Sequence, residues 1–225
     1  MSNFYAELNR ATEAERQELL SIPFIQQGAR GELSLESYIA FLTQAYHHVK
    51  HTTPLLMACG SKVPSSAEWM RDAIAHYIEE ELGHQEWILN DIDACGGDAD
   101  AVRNSEPGMA AELMCAYAYD VVQRRNPVGL FGMVLVLEGT SIKIALEAAK
   151  NIQDALGLPD QAFTYLNSHG ALDISHMDHF EKVVNRIESE EDRQFVIHTA
   201  KRFYKLYGDI FRELPLIPHQ GTKAA

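Results

Sequence analysis

Several things are scarce in this chain of 225 residues. Cysteine appears only as Cys59, Cys95 and Cys115, an odd number without CxxC spacing. That excludes a disulfide framework and a zinc knuckle, and leaves free thiols of the kind kept in a reducing cytoplasm. Positive charge is also short, with 19 Lys and Arg against 32 Asp and Glu, a net charge of −13. Such a chain is a poor partner for nucleic acid or for an anionic membrane surface. No apolar run approaches the length of a membrane span. The opening MSNFYAELNRATEAE is amphipathic and acidic, unlike a secretory signal, so a cytoplasmic location is expected. No segment alternates as a β-strand should, no internal repeat or low-complexity stretch stands out, and no linker divides the chain.

What remains is helical period almost throughout. With 46% hydrophobic residues the chain can bury a sizeable core. A first helix is expected over residues 3–20, ending at Ile22-Pro23. A second runs from Ser34 to Ala58, before Gly60. A third runs from Ser65, capped with Glu68, to Ala94 before Gly96-Gly97. A fourth covers 107–124, and Asn126-Pro127 opens a fifth that ends near Gly157. A short sixth follows Pro159, the helix containing HGALDISHMDHF runs to Ile187, and Ser189 caps a last one ending near Leu214. The expectation is one all-α domain over 1–225, of seven to eight helices, with 215–225 a loose C-terminal tail.

Three places carry chemistry. In HGALDISHMDH, residues 169–179, a helix turns about 100° per residue, so His169, Asp173 and His176 share one narrow stripe, whereas His179 lies about 80° away. Polar residues at this spacing also make an ordinary wet face, but no convincing apolar stripe opposes them here. In HYIEEELGHQEW, residues 76–87, Glu81 and His84 stand at i, i+3, the Glu-x-x-His spacing of carboxylate-bridged di-iron bundles. Glu80, at i, i+4 from His84, is the rival ligand, and a solvated charge run is the plain alternative. His76 is either an accessory group or core. The third place is Glu138, preceded on every side of its helix by the apolar residues 133–137. A carboxylate inside needs a partner, a proton or a metal, and Gly139 leaves room beside it. Oxygen and nitrogen donors without thiolate suit iron or manganese better than zinc. Three carboxylates would offset three of the four charges of two divalent ions.

The order Glu81-x2-His84, Glu138, His169-x3-Asp173-x2-His176 resembles the heme-oxygenase-like di-iron oxidases. The stretch GELSLESYIAFLTQAYHHVKHT resembles the wider group of TenA-type thiaminases and PQQ-synthesis proteins. The resemblance runs from about Glu32 to Phe211 and implies a heme-oxygenase-like bundle around a central cavity. It implies two iron ions, with manganese also suited, that use O2 to oxidise a small organic substrate: a fatty acid, an amino acid or an aromatic amine. Carried over by position, the resemblance implies that Glu81 and His84 would hold one iron, Glu138 would bridge or share both, and His169, Asp173 and His176 would complete the second. Where some relatives carry a carboxylate seven residues before the histidine, this chain has Tyr77. A homodimer is implied by analogy alone.

The competing readings are a metal-free TenA- or PQQ-synthesis-like enzyme and a small-ligand-binding helical protein. TenA-type chemistry would draw on an activated cysteine, for which Cys115, with Glu112 and Tyr119 a turn away, is the candidate. Haem degradation would want an axial histidine on the first helix, and the first histidine here is His47. Tyr46, Tyr77, Tyr117 and Tyr119 are candidate donors near a cavity, and His47, His48 and His51 form a cluster in which His47 and His51 share a face. Arg30, Lys143 and Lys150 are the candidate anchors for a substrate carboxylate.

Overall fold

The computed structural model describes residues 3–139 and 142–219; the side chains of 142–144 and 169–176 lie outside that description. All its regular elements are helical, and the helices are shorter and more numerous than expected because four of the long ones are broken.

The first is divided into α1 (Phe4–Ala11) and α2 (Glu13–Leu20) at Thr12, whose φ is −112° and whose hydroxyl donates to the Leu8 carbonyl at 2.9 Å. A side-chain bond of this kind competes with the helix ladder. α3 (Pro23–Ala29) starts on a proline, whose fixed φ suits a first turn. Ser34 caps α4 (Leu35–Val49), accepting from the Ser37 amide at 3.1 Å. The expected second helix ends there because Pro54 has no N–H to give the Lys50 carbonyl and its ring would strike that oxygen. The chain turns at Lys50–His51 and restarts as α5 (Thr52–Gly60), with Pro54 in its first turn.

The expected third helix is likewise two. Ser65–Ala67 is a 3-10 turn without the side-chain cap anticipated at Ser65, and α6 is Trp69–Glu81. Leu82 is extended, Gly83 takes φ +89°, and α7 (His84–Ala94) begins at once. Only glycine enters that left-handed region without strain. A short α8 (Ala99–Arg103), capped by Asp98, precedes α9 (Met109–Asp120), which runs on into a π-helical turn at Val121–Arg125. Asn126 accepts from the Val128 amide at 3.0 Å as expected, but α10 (Leu130–Leu137) stops before Glu138, and α11 (Ile142–Leu156) is separate. The stretch after Pro159 is a 3-10 turn leading into α12 (Thr164–Val184), and Ser189 caps α13 (Glu190–Glu213).

Two devices hold the core around the site. α10 lies very close to α13: a Cβ on Gly132 would stand 2.5 Å from the Ala200 backbone nitrogen. Asp91, fully buried on α7, accepts from the Thr164 and Tyr165 amides at 3.0 and 2.9 Å and from the Thr164 hydroxyl, so α7 caps α12. The C-terminal segment is not loose through residue 219. Ser34 donates to the Ile217 carbonyl at 2.9 Å, His219 to the Glu32 carbonyl at 2.8 Å, and the Ser37 hydroxyl to Pro215 at 2.6 Å. Among the described residues no helix is long and apolar enough to cross a membrane.

Candidate functional site

Glu81 is the last residue of α6 and His84 the first of α7, so the Glu-x-x-His pair straddles a helix break instead of riding one helix. The break still brings them together: Glu81 Oε2 lies 3.1 Å from His84 Nδ1, with the side chains only 7% and 2% exposed. Two donors each about 2.1 Å from one ion of octahedral geometry stand roughly 3.0 Å apart, so this spacing fits a shared cation. Trp87, one turn on, stacks its ring on the His84 imidazole at 4.0 Å and holds it in place. Glu80, the rival, turns elsewhere, to within 3.3 Å of His76 Nε2. Glu81 is therefore the buried member.

Glu138 follows the last residue of α10, where the apolar run of residues 133–137 gives way to Gly139. It and Glu81 both line a cavity of about 170 Å³, whose walls are otherwise mostly aliphatic and aromatic, from Leu20 and Phe24 to Ile152 and Phe211. A smaller cavity of about 50 Å³ is lined by the same two carboxylates and by Tyr77. The Tyr77 phenol is pushed well above its ordinary value, first by burial and then by the carboxylates of Glu138, Glu80 and Glu81.

His169, Asp173 and His176 belong to α12, which packs against α7, but their side chains lie outside the described residues. Among the described residues no group of three or more His, Cys, Asp or Glu stands close enough to hold a metal ion. The described part of the candidate set is thus the Glu81–His84 pair with Glu138 on the same cavity wall. Its donors, oxygen and nitrogen without sulfur in a largely apolar shell, suit iron.

His48 was missed as a cavity residue. It is buried, lines the larger cavity, and meets the Tyr207 ring edge-on at 5.9 Å. The signal was available: His48 falls seven residues after Phe41, on the face of α4 that also carries Tyr38. His47 and His51, the pair on a common face, turn instead to Ser105 (2.9 Å) and to the Tyr119 hydroxyl (3.4 Å). Burial, followed by the charge of Lys50, holds both imidazoles below their ordinary value. Of the four tyrosines singled out, Tyr77 faces a cavity; Tyr46, Tyr117 and Tyr119 pack against His47, Phe203 and His51.

Arg30 pairs with Glu32 at 2.8 Å and Lys150 with Asp154 at 2.5 Å, both on the exterior, and the Lys143 side chain lies outside the described residues. Burial raises all three thiols, Cys59 and Cys95 to about 12 and Cys115 to about 11, the reverse of what a nucleophilic cysteine requires.

Comparison with known proteins agrees with this architecture. A domain with a heme oxygenase-like fold from Shewanella denitrificans superposes with a TM-score of 0.85 at 24% identity, over 93% of this chain and 90% of that one. A TenA homolog from Pseudomonas syringae pv. tomato gives 0.76 at 11% identity, over 93% and 91%. Heme oxygenase-1 from the cyanobacterium Synechocystis, solved in complex with heme, gives 0.73 at 12%, over 94% and 92%. At these identities the likeness is one of fold. No curated protein matches the sequence. The model of a family described as iron-containing redox enzyme matches residues 39–208. That match spans most of the chain, from α4 into α13, and the protein therefore belongs to the iron-containing redox enzymes built on the heme-oxygenase-like fold.

Proposed function

We propose that the chain is an O2-dependent oxidase whose two non-haem iron ions are held by Glu81, His84, Glu138, His169, Asp173 and His176. The observation that carries this reading is the Glu81–His84 pair, 3.1 Å apart and buried on the wall of a cavity that Glu138 also lines. Bound iron would supply Lewis acidity and the electrons for reducing dioxygen. The chain supplies the rest. Glu81 and Glu138 place negative charge where the cations are needed. The apolar walls exclude water from the reacting centre. His48, Thr52 and Tyr207 offer the polar contacts that orient a substrate in the larger cavity.

That cavity is about the size of an engineered one of roughly 150 Å³ that admits benzene. It suits a ring or a short aliphatic chain. Among its described lining residues there is no Lys or Arg, so a substrate carboxylate would look to the metal for its counter-charge. A neutral or amine-bearing substrate would look to the carboxylates and His48.

Anaerobic titration with Fe(II) tests the proposal. Two equivalents should bind to the wild-type protein, and Glu81→Ala, Glu138→Ala and Asp173→Ala should each lower the stoichiometry or the affinity. Absence of iron binding, or binding indifferent to all three substitutions, would favour the metal-free ligand-binding reading instead.

A further inference from the structure

Tyr77 is a buried phenol that the proposed ligand set does not use. It sits on α6 at i, i+4 before Glu81, hence on the same helix face one turn earlier. Its side chain is 1% exposed, and among the described residues its hydroxyl has no hydrogen-bond partner. Tyr77 lines the same small cavity as Glu81 and Glu138, where one or two acceptor oxygens would normally have been enlisted. A buried hydroxyl left unpaired is costly to a fold, and such groups are uncommon. A buried phenol that shares a cavity wall with two carboxylates yet bonds to neither is accounted for if these oxygens are arranged around a cation. The cavity, about 50 Å³, has room: a water needs only about 10–15 Å³ on the same measure.

We infer that Tyr77 is a further oxygen ligand of the metal centre, binding a trivalent iron as the phenolate. The inference rests on the oxidase reading and adds to it. On binding, the phenol O–H bond breaks, an oxygen–metal bond forms, the proton leaves to bulk water, and no electron is exchanged. The Tyr77 ring is steadied by His179, whose centroid lies 5.8 Å away at a near-perpendicular angle.

The test compares the wild-type protein with Tyr77→Phe, each loaded with ferric citrate, by visible absorption and resonance Raman spectroscopy. The wild type should show a phenolate-to-iron charge-transfer band with tyrosine ring modes enhanced under it. Tyr77→Phe should lose the band. Without metal, Tyr77→Phe should be as stable as the wild type or more so, because it removes an unpaired buried hydroxyl. Added iron should then raise its melting temperature less than it raises that of the wild type. Iron binding without the band, or a band that survives in Tyr77→Phe, overturns this inference alone. A metal-free Tyr77→Phe protein that is markedly less stable overturns it too, since the hydroxyl is then structural. No iron bound by the wild type, either from ferric citrate or as Fe(II) without oxygen, overturns the oxidase reading as well.

Discussion

Gly83 is the residue on which the Glu81–His84 pair most directly depends. Its φ of +89° ends α6 and lets α7 restart at once in another direction, α6 packed on α5 and α7 on α4 and α12. A Cβ there would meet nothing within 4 Å, so Gly83→Ala adds no clash; its whole effect is on the backbone. Holding a non-glycine residue in the left-handed region costs about 1–2 kcal/mol. In a chain of this size that is a loss of about 2–8 °C in melting temperature, at 2–4 °C per kcal/mol. Gly157, at φ +65° and equally open, is the matched control, because it ends α11 away from the carboxylates. Gly157→Ala should lose the same stability. The two variants should part on iron. In Gly83→Ala the chain relieves strain by rotating toward the helical region, which carries His84 off Glu81. Restoring the pair on binding then costs that strain again, lowering iron affinity by about 5–30-fold. Gly157→Ala should bind as the wild type does, and Gly83→Asn, better tolerated at positive φ, should recover part of the loss. Thermal melts with Fe(II) titrations of the three variants decide it. Equal iron affinity in Gly83→Ala and Gly157→Ala would refute the view that this break sets the pair.

Gly132→Ala should be strongly destabilising, by about 1–3 kcal/mol or more, since its Cβ would stand 2.3 Å from Thr199 Oγ1 and 2.9 Å from the Val196 carbonyl; urea unfolding reads this. Asp91→Ala should cost about 1–2 kcal/mol as a lost cap and loosen the start of α12 first, visible as faster amide exchange at Thr164 and Tyr165. With thiols raised to about 11 and 12, the native protein at pH 8 should react slowly with a disulfide reagent, and all three cysteines quickly after unfolding. A rapidly reacting native Cys115 would reopen the TenA-type reading. The sign of the pH effect follows: unfolded thiols ionise near pH 8.5 and folded ones later, so the fold loses stability as pH rises above about 8.5. That slope, measured by denaturation at several pH values, should be shallower in Cys59→Ala.

The parts of the fold that were legible in the sequence are those governed by local chemistry. The caps expected at Asn126 and Ser189 each form, because an oxygen beside the first free amides acts within a few residues, whereas the one expected at Ser65 does not. Glu138 stood out for the five apolar residues before it, and it comes to lie half-buried on the cavity wall. Helix continuity was less legible, since period alone carries through a break. Pro54 was an available signal for the turn at Lys50–His51 that the period reading passes over, whereas Gly83 was not, because an isolated glycine in a helical pattern reads as a tolerated weakness until its φ is known. The consequence bears on the chemistry. Both described carboxylates stand where a helix ends, Glu81 closing α6 and Glu138 following α10. A carboxylate inside a continuous helix is tied to that helix's axis and rotamers, whereas one at a break is aimed by the separate packing of two helices. The terminal carbonyls of a helix also carry partial negative charge. Two helix ends whose carboxylates line one apolar cavity make an electrostatically unfavourable arrangement for a chain alone, and a favourable one once positive charge is bound there. Iron should therefore raise the melting temperature far more at low ionic strength than Glu138→Gln does in its absence, if neutralising one carboxylate relieves only part of that repulsion.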